Sequence, residues 1–272
     1  MNPPDFAEAV PPSLPPPEAQ GSRPPWGFWA SVGLGLIALG VMVAAQSVVA
    51  IIFGVLIAVQ HQAQHGRPMP ANDLTSSLLS NPLMLGLSVW VSVPAVLFVL
   101  WAMVRLRRGP SVADYLGLCG FGVRQFLVWA VALIVVLGVG NWLLSLLGDD
   151  SGAKFIVPLL AKGQWIPQLV AALVIGAPLV EELIFRGFMF RGMATARWAP
   201  LGAIVIPNLF WVMLHVQYQW PTILVLFAMG LVLGGARHFS RSTMLPFTLH
   251  LLSNATSVGM AFAMLNHGTP PP

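Results

Sequence analysis

From Trp26 to Val59 the chain runs through 34 residues without one Asp, Glu, Lys or Arg. About 20 apolar residues suffice for a helix to cross the hydrocarbon core of a bilayer. A helix apolar on every face belongs in a membrane or deep in a large core. Further apolar stretches follow at about 83–104, 125–147, 167–190, 199–217, 221–236 and 243–265. The expected fold class is all-α: a polytopic α-helical integral membrane protein with about seven (six to eight) transmembrane helices. Composition agrees, with 57% apolar and 8% charged residues, where soluble domains carry about 25% charged. The first stretch exceeds the span of a bilayer and is expected to tilt or project.

The stretches organise the chain. Residues 1–25 hold Pro3, Pro4, Pro11, Pro12 and Pro15 to Pro17, too little apolar surface for a core, and are expected to be a disordered tail. They lack the basic start of a signal peptide, and the apolar run behind them is too long for one. Residues 26–164 form a set of N-terminal transmembrane helices. Residues 165–265 form a C-terminal helix bundle with the active site, and 266–272 a short tail. A polar loop is expected over His61 to Ser80. Arg105-Leu106-Arg107-Arg108-Gly109-Pro110 is a basic stop followed by helix breakers, and 105–125 has room for a short interfacial helix. Gly148-Asp149-Asp150 ends the third span, and a loop with Lys154 and Lys162 leads to the fourth.

Charge sets orientation more than partner choice. The excess is small, 13 basic against 9 acidic residues, and is spread over loops, which fits membrane topology rather than nucleic acid. Arg105, Arg107, Arg108 and Arg124 share one loop, Arg191 and Arg197 another, Arg237 and Arg241 a third. The positive-inside rule puts these loops and the N-terminal tail in the cytoplasm; Lys154 and Lys162 argue weakly the other way. A plasma (cytoplasmic) membrane is the expected location. The single cysteine, Cys119, excludes an internal disulfide and a Cys-based metal site, and no Gly-rich phosphate loop is present.

After Asp150 the only carboxylates are Glu181 and Glu182, adjacent inside the fourth apolar stretch. An intramembrane carboxylate is costly, about 2.5–3.5 kcal/mol at a helix centre, and marks a functional site by default. The two point about 100° apart on a helix. Arg186 lies four residues after Glu182, the spacing at which a Glu–Arg pair meets, so Arg186 is expected to neutralise Glu182 and leave Glu181 free. The bland reading is a buried ion cluster that only fixes packing. Asn208, Trp211 and His215 fall at i, i+3 and i+7, one helical face with an aromatic ring beside the imidazole. His250 and Asn254, four apart, share a face of the last stretch, with Pro246 before them.

Three otherwise apolar spans thus each carry a short polar set, and such sets converge away from lipid. A carboxylate, two imidazoles and an amide suit hydrolysis: the carboxylate takes a proton from water, and imidazole and amide serve the water or the oxyanion. No serine or cysteine nucleophile has a base at helical spacing, apart from Ser253 beside His250. Zinc ligation by carboxylate and imidazole stays open, although no two histidines stand i, i+4 as in His-Glu-x-x-His sites.

These motifs resemble those of the CAAX prenyl protease and bacteriocin-processing (CPBP, or Abi) family of intramembrane proteases. Its Glu-Glu-x-x-x-Arg motif is matched by Glu181-Glu182-Leu183-Ile184-Phe185-Arg186. Its Phe-x-x-x-His motif is matched by His215 with Trp211 in the Phe place, which keeps the aromatic and changes the pocket. Its His-x-x-x-Asn motif is matched by His250 and Asn254. The resemblance covers about 165–262. It implies an intramembrane endopeptidase in which Glu181 is the general base, His215 shares the water, His250 and Asn254 stabilise the oxyanion, and Glu182 and Arg186 support them. It also implies a membrane-associated protein or peptide as substrate. Metal-independent catalysis without a cofactor is the expectation; zinc held by Glu181, His215 and His250 is the alternative. Two other classes use such residues: a non-catalytic scaffold or immunity protein, and a proton-coupled transporter, though paired inverted halves are missing. Oligomeric state is not legible.

Overall fold

The structure, a computed structural model, describes residues 24–196 and 199–267. Nearly all of the proline-rich tail, Arg197 and the last five residues of the C-terminal tail lie outside the described residues.

Ten helices and no strand are found among the described residues. They are α1 (Phe28–His65), α2 (Ala71–Leu79), α3 (Pro82–Leu106), α4 (Val112–Leu116), α5 (Val123–Leu147) and α6 (Ser151–Ala161). There follow α7 (Ile166–Met193), α8 (Leu201–Val212), α9 (Trp220–Ser240) and α10 (Met244–Asn266). Local chemistry sets their ends. Asn81 caps α3 by accepting from the Met84 N–H at 3.0 Å, with Pro82 at the first helical position, where a missing N–H costs nothing. Gly66 and Gly148 close α1 and α5 in the left-handed region, φ 67° and 66°, which glycine reaches without strain.

The chain is a polytopic all-α integral membrane protein. Five helices are long and apolar enough to cross a membrane: α1, α3, α5, α7 and α9. All seven expected spans are helices, but two differ from a simple crossing. α8 has 12 residues, about 18 Å at 1.5 Å per residue against a core of about 30 Å. α10 has the length, 23 residues, but Thr248, His250, Ser253, Asn254, Thr256 and Ser257 make it more polar. The 38 residues of α1 reach about 57 Å, and its last turns carry His61 and His65 beyond the apolar part.

Two segments expected as loops contain helices. Within His61–Ser80 the chain forms α2, whose polar sequence gave no apolar signal. The Lys154 segment forms α6, an 11-residue helix that buries Val157, Leu159 and Leu160 against Leu169 of α7 and Val258 and Ala261 of α10. Its shortness and Pro158 hide it in the sequence. The expected short helix in 105–125 is α4.

α7 sits at the centre: 50% of its apolar stretch is buried, against 17% for α1 and 11% for α5. α1 and α5 instead present Ile51, Val55, Ile134 and Leu146 outward, the surface a lipid-facing helix shows. The larger core joins Phe185 and Phe188 of α7 with Val96 and Leu100 of α3, Trp211 of α8, Leu233 of α9 and Leu245 and Leu249 of α10.

Arg107, Arg191 and Arg241 lie at one end of the bundle, whereas Arg67, behind α1, lies at the other. The Arg107 guanidinium donates to the Pro24 carbonyl at 2.8 Å, and the Tyr115 hydroxyl accepts from the Trp26 N–H at 3.3 Å. The Thr243 N–H reaches the Gly117 carbonyl at 2.8 Å. The start of the described chain, the α3–α5 connection and the α9–α10 turn therefore share that end. Arg237 is an exception to the loop reading: it is 4% exposed inside the last turn of α9. It is a packing residue rather than a loop charge.

Candidate active site

Pro178 has no N–H to give to the turn before it. That turn, Ala172–Gly176, is wound as a π-helix, with the Ala177 N–H bonded to the Ala172 carbonyl. A second π segment, Leu183–Met189, begins directly after the glutamates. Between them lies a short α-helical stretch, Ala177–Glu182, that ends in the two carboxylates. Such π-bulges are frequent at functional sites. Each π segment here also offers a carbonyl to another helix. Leu173 O accepts from Asn254 Nδ2 at 2.9 Å, and Arg186 O accepts from Arg237 Nε at 2.8 Å. The irregular winding thus docks α10 and α9 onto α7.

Glu182 is fully buried. Its Oε1 accepts from Arg186 Nη1 at 3.0 Å and faces His250 Nδ1 at 2.9 Å. Arg186, 2% exposed, donates its Nη2 to the Gly230 carbonyl at 3.3 Å. A buried carboxylate held by an arginine and a ring nitrogen is a paired charge, the only form in which burial is tolerable. A proton on His250 Nδ1, donated to Glu182, leaves Nε2 to exchange a proton on the other side of the ring.

Glu181 lies about 22 Å along a helix of about 42 Å, close to its middle. Its side chain keeps 16% exposure. Oε2 accepts from the Trp211 indole N–H at 2.6 Å and stands 3.9 Å from His250 Nε2. That gap is too long for a direct hydrogen bond. Trp211 is fully buried. Its ring meets His215 and His250 edge-on, with centroids 4.8 and 5.5 Å away, and the Arg186 guanidinium lies over it at 5.0 Å.

Glu181, Glu182, Arg186, Trp211 and His250 are therefore in direct contact. His215 joins them through Trp211, whose carbonyl faces its Nδ1 at 3.0 Å. α8 stops at Val212, so the helical-face argument covers only Asn208 and Trp211; His215 stands in the loop behind, half-buried. Asn254 is one turn along α10 from His250, with its amide committed to Leu173 O. Asn208 is buried with Nδ2 on the Phe227 carbonyl at 2.9 Å. A Cβ on Gly230 would meet its Oδ1, so any larger residue there must displace the Asn208 amide.

Residues 163–256 match the family model described as type II CAAX prenyl endopeptidase Rce1-like. The resemblance carried by the three motifs is borne out over that segment, and protease activity is what its family implies. A protein of Escherichia coli described as "Uncharacterized 24.3 kDa protein" is 34% identical over 139 residues, covering 49% of this chain and 63% of that relative. The chain thus spans less than two thirds of the relative's length. No solved structure matches.

All the residues predicted from sequence fall inside the Rce1-like segment. Sequence reasoning missed three others near the site. Arg237 was legible only as one more charge. Gly230 contributes its carbonyl, which no side-chain pattern reveals. Tyr218, in the loop after α8, stacks with His215 at 6.1 Å between ring centroids. Burial pushes its phenol above the usual value, and the Glu181 charge adds to this.

The three side chains of the zinc alternative, Glu181, His215 and His250, are not drawn into one ligand set. Among the described residues no group of three His, Cys, Asp or Glu side chains is gathered to hold a metal ion. Glu181 Oε2 and His250 Nε2 face each other, and His215 Nδ1 rests on the Trp211 carbonyl, which leaves its Nε2 as the free ring nitrogen.

Proposed function

We propose that this protein is an intramembrane endopeptidase of the glutamate type. It hydrolyses a peptide bond in a membrane-associated protein or peptide, and a C-terminally prenylated one is the substrate class that the family's description favours. The observation that carries the reading is the division of labour between two adjacent carboxylates. Glu182 is fully buried and paired with Arg186 and His250, whereas Glu181 is partly open and stands 3.9 Å from His250 Nε2 without a direct hydrogen bond.

In this reading Glu181 accepts a proton from water as the water attacks the scissile carbonyl. Trp211 holds the carboxylate in one orientation by its indole N–H, so the base meets water without first reorganising. His250, fixed by Glu182, is the imidazole closest to Glu181 and shares the same water or donates to the oxyanion. His215 serves the oxyanion or the departing chain, as does the second N–H of Asn254, whose first is held by the Leu173 carbonyl. The proton taken by Glu181 passes to the leaving amine, which restores the base.

The test compares protein N- and C-termini in membranes that carry the wild type or Glu181→Gln. Termini formed only with wild type establish proteolysis and identify substrate and cut site. Identical termini at equal protein levels would overturn the reading and favour a scaffold or transporter. A chelator that abolishes those termini reversibly, with activity restored by zinc, would replace the water-only mechanism by a metal-assisted one.

A further inference from the structure

We infer that the α5–α6 turn, through Asp149 and Ser151, positions the loop that carries His215; the inference rests on the reading of His215 as part of the active site. This turn lies upstream of residue 163, where the family resemblance begins, so no motif assigns it a role.

The hydrogen bonding singles it out. α9 begins at Trp220 behind Gln219, whose side chain gives no cap. The first turn of a helix always leaves N–H groups without an internal partner. Here a different part of the chain supplies the acceptors. Asp149, 9% exposed, takes the Thr222 N–H at 3.0 Å and the Thr222 hydroxyl at 2.9 Å on Oδ2. Its Oδ1 takes the Ser151 N–H at 2.9 Å. Ser151 Oγ accepts the Gln219 N–H at 3.2 Å and donates to Thr222 Oγ1 at 3.1 Å. A carboxylate at a helix N-terminus also meets the positive end of the helix dipole.

The consequence reaches His215. The loop from Met213 to Gln219 is held at its start by α8, where the His215 N–H bonds to the Val212 carbonyl at 3.0 Å. Its far end is held by Asp149 and Ser151. Between them Tyr218 packs edge-on against Phe155 of α6 at 5.9 Å and stacks with His215 on its other side. α6 itself packs on α10, which carries His250. The turn and α6 therefore join the two histidine-bearing elements from outside the motif segment.

The experiment uses the full chain in lipid nanodiscs. Hydrogen exchange is followed by mass spectrometry for wild type, Asp149→Asn and Ser151→Ala. Exchange over 213–222 should speed up by about five- to thirtyfold in Asp149→Asn, the factor that loss of a helix cap gives, with 180–190 unchanged. Unchanged exchange over 213–219, or equal acceleration throughout the protein, would overturn the inference. In membranes, the rate of forming Glu181-dependent termini should fall in Asp149→Asn and not fall further when Asp149→Asn is added to His215→Ala. Full-rate cleavage by Asp149→Asn beside an impaired His215→Ala would overturn the positioning role alone. Full-rate cleavage by His215→Ala would instead remove the active-site reading of His215 on which the role depends.

Discussion

The indole N–H of Trp211 donates to Oε2 of Glu181 across 2.6 Å. A phenylalanine at this place, as in the resembling family motif, has no such donor, so this chain ties the Glu181 carboxylate to the neighbouring helix. Trp211→Phe should keep the ring contacts with both histidines and lose the tether. A hydrogen bond to a charged group is worth about 1.5–3 kcal/mol, and part of it is needed only to hold the base in place. The expected result is a roughly tenfold fall in kcat with KM little changed, measured on the substrate found by comparing termini.

Arg186 and Glu181 should separate in a stability assay. Arg186→Ala leaves the buried Glu182 without its main counter-charge, a change that costs about 3–5 kcal/mol when one partner of a buried pair is removed. Glu181→Gln removes a charge with partial exposure and should cost under about 1 kcal/mol. Thermal unfolding in detergent checks both, and equal losses would contradict the assigned division between the two carboxylates.

Gly230→Ala tests the close approach of α8 and α9. The added Cβ overlaps Asn208 Oδ1, and overpacking costs about 1–3 kcal/mol. The same strain shifts the Gly230 carbonyl that Arg186 uses. Adding Asn208→Ala should recover part of the lost unfolding temperature, since it removes the clash.

Asp149 gives a pH dependence. Partial desolvation raises its pKa, but hydrogen bonds from Ser151 and Thr222 outweigh this and hold the carboxyl below the usual range. A carboxyl lowered by folding adds stability above its unfolded pKa of about 3.9 and loses it as pH falls through the folded value. Acidification below about pH 4 should therefore lower the unfolding temperature of wild type more than that of Asp149→Asn. Parallel curves for the two proteins would show that Asp149 contributes no such linkage.

The spans and the site residues were legible for a simple reason. Long uncharged runs have few structural meanings, and a polar residue inside one stands out. The Glu182–Arg186 pair followed from spacing alone. His215 was placed on a helix because its helix ends without a glycine or proline at the stop; the chain turns at Met213 instead. α6 was read as a loop because 11 residues with an internal proline give little periodicity. The π segments left only Pro178 as a trace, since widening a turn depends on what neighbouring helices offer its carbonyls. Arg237 was misjudged, and the bonding role of Asp149 at the end of its span was not legible, because charges near helix ends look alike in sequence whether they face water or a backbone group across the bundle.

The 12-residue length of α8 has a consequence for how the reactant arrives. A helix of about 18 Å that starts at one membrane surface ends roughly 12 Å short of the other. Irregular backbone at that depth is tolerated only where protein or water satisfies it. Gln217 and Gln219 of the loop behind α8 are exposed, and His215 in the same loop is half-buried. This loop is therefore the expected path of water to Glu181, from the end of the bundle opposite the α3–α5 connection.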